Sequence, residues 1–192
     1  PNSPAGKAAA LGLPAPPEID INSWEFMLAN GNNSISDYAP QVDLIENLPV
    51  DYRIIEPLRQ MAEDARAQGL NVYLSSGYRS YSEQSANFDR ICANNGCTDG
   101  KNAQGYYITM PAGCSEHQTG LACDVTNIYY EIKRSEEIAQ TDTWNYLKQH
   151  CQDFGFIVRF PEGKEDITEV MFEPYHFRYV GVEAAQYIMA NN

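Results

Sequence analysis

Two short segments concentrate side chains that can hold a cation and move a proton: Ser115-Glu116-His117-Gln118-Thr119-Gly120-Leu121-Ala122-Cys123-Asp124 and Glu173-Pro174-Tyr175-His176. Together they offer two imidazoles, one carboxylate able to serve as a third ligand, and one further carboxylate free to act on a water. A catalytic zinc site has three protein ligands and an open position, whereas a structural site is closed with four. The inventory has the catalytic form. A metal held this way lowers the pKa of its water from about 16 to roughly 7, which makes a nucleophile at neutral pH. A histidine in an arbitrary chain is more often a surface or core residue than a ligand. Here there are only three, His117, His150 and His176, and two of them sit in polar segments with Gly or Pro and a carboxylate at a fixed offset.

For these groups to meet, the backbone has to place them. A strand over 121–126 puts Ala122, Asp124 and Thr126 on one face and Leu121, Cys123 and Val125 on the other. Gly120 permits a turn that brings His117 back towards Asp124. Glu173 and His176 are three apart, so a regular strand would point them to opposite faces. Pro174 cannot donate to a ladder and marks an edge, bulge or irregular stretch, so a local distortion is expected there.

The surrounding pattern supplies a scaffold. Ile54, Ile55, Leu58, Met61, Ala62 and Ala65 recur at helical spacing, which predicts a helix over 54–68 stopped by Gly69. A strand over 70–75 follows and ends in a Ser-Gly-Tyr-Arg turn. Ser80 and Glu83 form a capping box opening a helix to about residue 93, with Gln84 one turn in, near Arg79. Residues 94–113 form a long polar loop, of the kind that is functional or disordered in a compact domain. Beyond the His117 segment come a helix over 143–154 closed by Gly155, a strand over 156–160, an interrupted strand over 170–180 and a closing helix over 182–189. Asp142 reads as a helix start, His150 as part of a solvated helix face, and 162–166 as a charged turn. Residues 1–20, rich in Ala, Pro and Gly, read as a linker or tether. Residues 21–51 read as an irregular arm with a short strand or two. One domain over 21–192 is expected, of α+β class: a small, mostly antiparallel sheet with helices packed on one side and the metal site on its open face.

Thirteen basic against twenty-six acidic residues give a formal net charge of −13. That balance excludes nucleic acid as a partner, because phosphate binding draws on Lys and Arg. It also argues against unaided adsorption to anionic lipid. Recognition of a carboxylate must then be local, through Arg79 and neighbouring donors. No apolar run reaches the ~20 residues of a membrane helix. Among five cysteines, Cys92 with Cys97 or Cys114 with Cys123 could pair in an oxidising compartment, or all could be reduced thiols. Cys151 lies on a helical stripe with Trp144, Leu147 and Phe154 and reads as a buried free thiol.

The first segment, followed by Glu-x-x-His, resembles the LAS group of zinc peptidases, in particular the VanY-type D-alanyl-D-alanine carboxypeptidases. Ser76-Gly77-Tyr78-Arg79-Ser80 with Gln84, the stretch from Phe154 to Glu165, and Phe177-Arg178-Tyr179-Val180-Gly181 extend the likeness from about Pro57 to Gly181 in the family's order. The resemblance implies that His117, Asp124 and His176 bind Zn2+, that Glu173 is the general base, and that Arg79 stabilises the developing oxyanion. Tyr175 stands where Trp is usual in the family, and Cys123 precedes the Asp. Ser115 and Gln84 are candidate donors to the substrate's terminal carboxylate or peptide carbonyl, or else make plain loop hydrogen bonds. Tyr175 is a pocket wall or a packed aromatic, and Arg79 alternatively a surface ion-pair residue.

The implied function is removal of the C-terminal D-alanine from peptidoglycan stem peptides, by a monomer at the extracellular face of a bacterial membrane or wall, with room for an upstream membrane tether outside this chain. L,D-carboxypeptidase, D-Ala-D-Ala dipeptidase, cell-wall endopeptidase and a non-catalytic zinc-containing binding module are the competing readings. Wall maturation and glycopeptide resistance both fit.

Overall fold

Antiparallel pairing places the candidate groups, and it begins with the two-residue turn Glu46-Asn47. Both residues have positive φ, 51° and 67°, as a tight hairpin turn requires, and the turn joins β1 (Val42–Ile45) to β2 (Leu48–Asp51). Arg66 grips the Glu46 carboxylate with two guanidinium nitrogens. The structure, a computed structural model, describes residues 4–127 and 135–191. Its main sheet comprises β3 (Tyr73–Ser76), β4 (Ala122–Thr126), β5 (Phe156–Val158) and β6 (His176–Tyr179). They are ordered β3-β4-β6-β5, each pair antiparallel.

The period-two pattern decides which face is core. Leu121, Cys123 and Val125 join Phe156, Val158 and Phe177 in the main apolar cluster behind the sheet. The helices α2 (Ile55–Ala67) and α4 (Asp142–His150) close that cluster with Leu58, Met61, Ala62 and Ala65 from one and Trp144 and Leu147 from the other. Each large apolar side chain fully buried there contributes about 1.5–3 kcal/mol. A second cluster forms where α6 (Val182–Ala190) sets Ala184 and Ala185 against Ile157 and Val180. The fold is thus α+β with a small antiparallel sheet, as the sequence implies.

Two further helices border the open face. In α3 (Tyr81–Asn95) the Ser80–Glu83 capping box is present in both directions, and Gly96 ends the helix in the left-handed conformation. One side of α3 lines the cleft over the sheet. The stretch 162–166 contains the start of a short helix, α5 (Glu165–Thr168), rather than only a turn.

Some expectations are refined. The strand expected over 70–75 begins only at Tyr73. Only His176–Tyr179 of 170–180 is strand, and Val170 makes an isolated parallel bridge to Tyr107. The tether stretch carries a helix, α1 (Pro4–Ala10), with Ala8 buried, and Tyr187 donates its hydroxyl to Pro14 O; residues 1–3 lie outside the described residues. All five cysteines are free. Cys123 is in the core behind β4 whereas Cys114 lines the cleft, so the sheet separates that candidate pair. Cys151 is a buried thiol, as its stripe predicts. Among the described residues no helix is long and apolar enough to cross a membrane.

Candidate metal centre and active site

Strand register alone aligns Ser76, Asp124 and His176 in one row across β3, β4 and β6, since Ser76 pairs with Asp124 and Asp124 with His176. A bulge between Leu74 and Ser76 makes this row possible; such irregularities re-aim side chains beside active sites. His117 arrives from the 3-10 turn Glu116–Thr119, which ends at Gly120 with φ +74°. A side chain at Gly120 would press on the Asp51 backbone, whose N–H donates to Gly120 O. Arg79 N–H donates to His117 O at 3.1 Å, tying the Ser-Gly-Tyr-Arg turn to the same loop. The expected distortion before β6 is a turn in which His176 N–H donates to Glu173 O at 3.2 Å, while Glu173 N–H donates to Phe160 O. That turn lets two residues three apart converge.

His117, Asp124 and His176 are all buried, and one donor atom from each lies within 4.8 Å of the others. Asp124 Oδ1 is 3.4 Å from His117 Nε2 and 3.3 Å from His176 Nδ1. Donors about 2.1 Å from a tetrahedral ion stand roughly 3.4 Å apart, so the spacing suits a divalent cation of that geometry. The outward nitrogens are engaged as well. His117 Nδ1 lies 2.7 Å from Gly77 O, and His176 Nε2 lies 3.4 Å from Glu116 Oε2. Glu173 Oε2 stands 3.6 Å from His176 Nδ1, further than Asp124, and its side chain reaches the cleft.

Burial pushes the His117 imidazole below its ordinary pKa despite Asp124. Burial acts the same way on His176, but hydrogen bonds to Asp124 and Glu116 and the charge of Glu173 outweigh it, raising His176 to about 9. Burial would raise the Glu116 carboxyl, yet the Arg159 and Arg178 guanidiniums hold it well below the usual carboxylate range.

The other candidates surround this centre in a cleft of about 520 Å³. Arg79 donates from Nη1 to Gln84 Oε1 (2.6 Å) and from Nη2 to Ser76 Oγ (3.0 Å), which fixes its guanidinium at the cleft wall rather than at the surface. Gln84 is buried, and its amide also donates to Met110 O. Its contacts therefore position Arg79 and the 110 loop. Ser115 caps the His117 turn, accepting from His117 N–H, and also lines the cleft. Tyr175 packs on the main cluster and lines the cleft. His150 pairs with Asp153 on an exposed helix face, away from the cleft.

Three charges at the centre lie outside the residues singled out from the sequence: Glu116, Arg159 and Arg178. The signal for them is an Arg in each of two apolar strand stretches, Val158-Arg159-Phe160 and Phe177-Arg178-Tyr179, which need an anion if buried.

A sequence profile of the D-alanyl-D-alanine carboxypeptidase (VanY) family matches residues 47–182. The chain belongs to the VanY family. A D-alanyl-D-alanine carboxypeptidase of Enterococcus faecalis is 33% identical over 175 residues, covering 86% of this VanY-family chain and 62% of the relative. The chain thus spans about six tenths of the length of the curated relatives it first matches. Among solved structures, a mutant of the vancomycin-resistance D,D-pentapeptidase VanY from a VanB-type cassette, in complex with Zn(II), is 31% identical. It superposes with a TM-score of 0.73, covering 88% of this chain and 95% of the other. An L,D-carboxypeptidase, DacB, from Streptococcus pneumoniae is 32% identical with a TM-score of 0.64, covering 85% of this chain and 79% of the other.

Proposed function

We propose that this VanY-family domain is a zinc-dependent D,D-carboxypeptidase that removes the C-terminal D-alanine from peptidoglycan stem peptides, acting on the outer side of the bacterial membrane. The observation that carries the reading is the buried His117–Asp124–His176 cluster with Glu173 beside it at a cleft floor. The donor set of two imidazoles and a carboxylate suits zinc, as does the Zn(II) complex of the similar VanY. When bound, the ion supplies Lewis acidity towards a water and the scissile carbonyl.

The chain's own groups do the rest. Glu173 accepts a proton from the attacking water and returns it to the leaving amine, as a base turned acid. Arg79, held by Ser76 and Gln84, offers hydrogen bonds and charge to the oxygen that becomes anionic in the transition state. Ser115, which lines the cleft, offers a hydroxyl to the terminal carboxylate or the peptide carbonyl. Replacing Arg79 by Ala is expected to lower kcat about 10²- to 10³-fold, in line with loss of one oxyanion donor, with zinc content unchanged. Steady-state kinetics with metal analysis of the purified variant checks this, and an unaltered kcat would remove Arg79 from the mechanism.

A cleft of about 520 Å³ exceeds what a dipeptide fills and falls within the range for larger ligands, which favours a stem peptide over free D-Ala-D-Ala. The family profile and the Enterococcus faecalis relative, both described as D-alanyl-D-alanine carboxypeptidase, support D,D over L,D cleavage. The test is D-alanine release from a synthetic stem pentapeptide, the corresponding tetrapeptide and D-Ala-D-Ala. Fastest release from the pentapeptide is expected. Preference for the tetrapeptide would make it an L,D-enzyme, and preference for the dipeptide a dipeptidase. No release by zinc-loaded protein would leave a binding module.

A further inference from the structure

Each of the two imidazoles at the centre turns one ring nitrogen inward and the other outward, and the outward partners differ. His117 Nδ1 meets a backbone carbonyl, Gly77 O. His176 Nε2 meets a buried carboxylate, Glu116 Oε2, at 3.4 Å. Nothing in the proposed chemistry uses Glu116, which cannot reach the inward nitrogens because it stands behind the His176 ring.

The geometry points to Glu116 as a positioning residue of the metal centre: its carboxylate keeps the proton of His176 on Nε2, so that the Nδ1 lone pair faces Asp124 and the cation. A neutral imidazole carries one donor and one acceptor nitrogen, and an ionised carboxylate only accepts. The nitrogen facing Glu116 must therefore be the donor, and the choice of metal-facing nitrogen follows from the bond made on the other side. A carboxylate behind a ligand histidine also raises the basicity of the ligand.

The division of labour within the carboxylate supports this role. Oε1 takes both guanidiniums, from Arg159 Nε at 2.8 Å and Arg178 Nη1 at 3.2 Å, and Oε2 is left for His176. Two cations on one oxygen keep Glu116 ionised although it is only 4% exposed. Arg178 is itself fixed, donating to Tyr179 O and to Glu25 O and Met27 O of the N-terminal arm. Phe160 closes another side of the His176 ring, with centroids 4.8 Å apart. Buried ion clusters of this kind add little net stability compared with apolar packing. Orientation of a ligand is what this one supplies.

The inference rests on the metal reading above, and the test separates the two. Zinc alone is titrated into apo wild type and Glu116→Gln against a chromophoric chelator, and zinc-loaded, 15N-histidine-labelled samples are compared by NMR. Loss of a carboxylate partner should weaken zinc binding about 10- to 100-fold. In the wild type, His176 should show a protonated, exchange-protected Nε2, and the variant should move or lose that signal. The His117 Nδ1–H signal, held by Gly77 O, should stay in place, which a general loss of structure would not allow. Unchanged zinc affinity in the variant, or a deprotonated His176 Nε2 in the wild type, overturns the inference; the second result needs no folded variant. Failure of the wild type to bind zinc would instead overturn the metal reading itself.

Discussion

Glu173→Gln is expected to keep its zinc and to lose kcat by about 10²- to 10⁴-fold, the usual contribution of a positioned general base. The substitution keeps shape and removes the ability to take and return a proton. It should not disturb the turn, because the turn is made by backbone groups: Glu173 N–H to Phe160 O, and His176 N–H to Glu173 O. It should not remove the ion either, because Asp124 Oδ1 sits closer to His176 Nδ1 (3.3 Å) than Glu173 Oε2 does (3.6 Å) and also touches His117. Metal analysis and single-turnover kinetics on the same sample read both halves. A variant that loses its zinc would make Glu173 a ligand, and one that keeps activity within tenfold of wild type would assign the proton transfer to another group.

The elements carrying the site were legible because each rests on a local rule. Alternation over 121–126 gave the faces of β4, and the Ser80–Glu83 box sets the observed start of α3. The distortion at Pro174 followed from the missing N–H and the three-residue spacing of Glu173 and His176. What stayed hidden is what depends on register between distant strands. The pairing of Asp124 with His176 cannot be computed from spacing, and that of Ser76 with Asp124 is shifted further by a bulge in β3. The Glu116–Arg159–Arg178 cluster is hidden for the same reason: its members come from the 3-10 turn, the residue after β5 and strand β6, and only the folded sheet shows that both guanidiniums meet one carboxylate. Helix α1 was illegible because seven residues of Pro, Ala, Gly and Lys have no apolar stripe; Ala8 is buried by its contacts and not by a pattern.

Removing the metal should abolish D-alanine release, and adding zinc back should restore it. Fold stability should follow. An ion present at about 100 times its dissociation constant stabilises the native state by about 2.7 kcal/mol, which for a domain of this size corresponds to roughly 5–10 °C in Tm. The pH dependence gives this prediction a sign. In the metal-free protein His176 is raised to about 9 by Asp124 and Glu116 against the opposing effect of burial. Its imidazolium therefore stabilises the apo fold fully below the unfolded value near 6.5 and loses that contribution as pH rises through about 9. The ion has to displace the same proton from Nδ1, so its affinity rises over this window, by up to roughly tenfold per pH unit. His117, pushed below its ordinary value by burial, contributes less to this slope. The two slopes oppose each other, so the Tm gain on adding zinc should grow between pH 6.5 and 9. Thermal melts of apo and zinc-loaded protein across that range measure it. A gain that shrinks with pH would mean that the ion does not compete for His176, and activity surviving in protein verified to be metal-free would mean that hydrolysis proceeds without it.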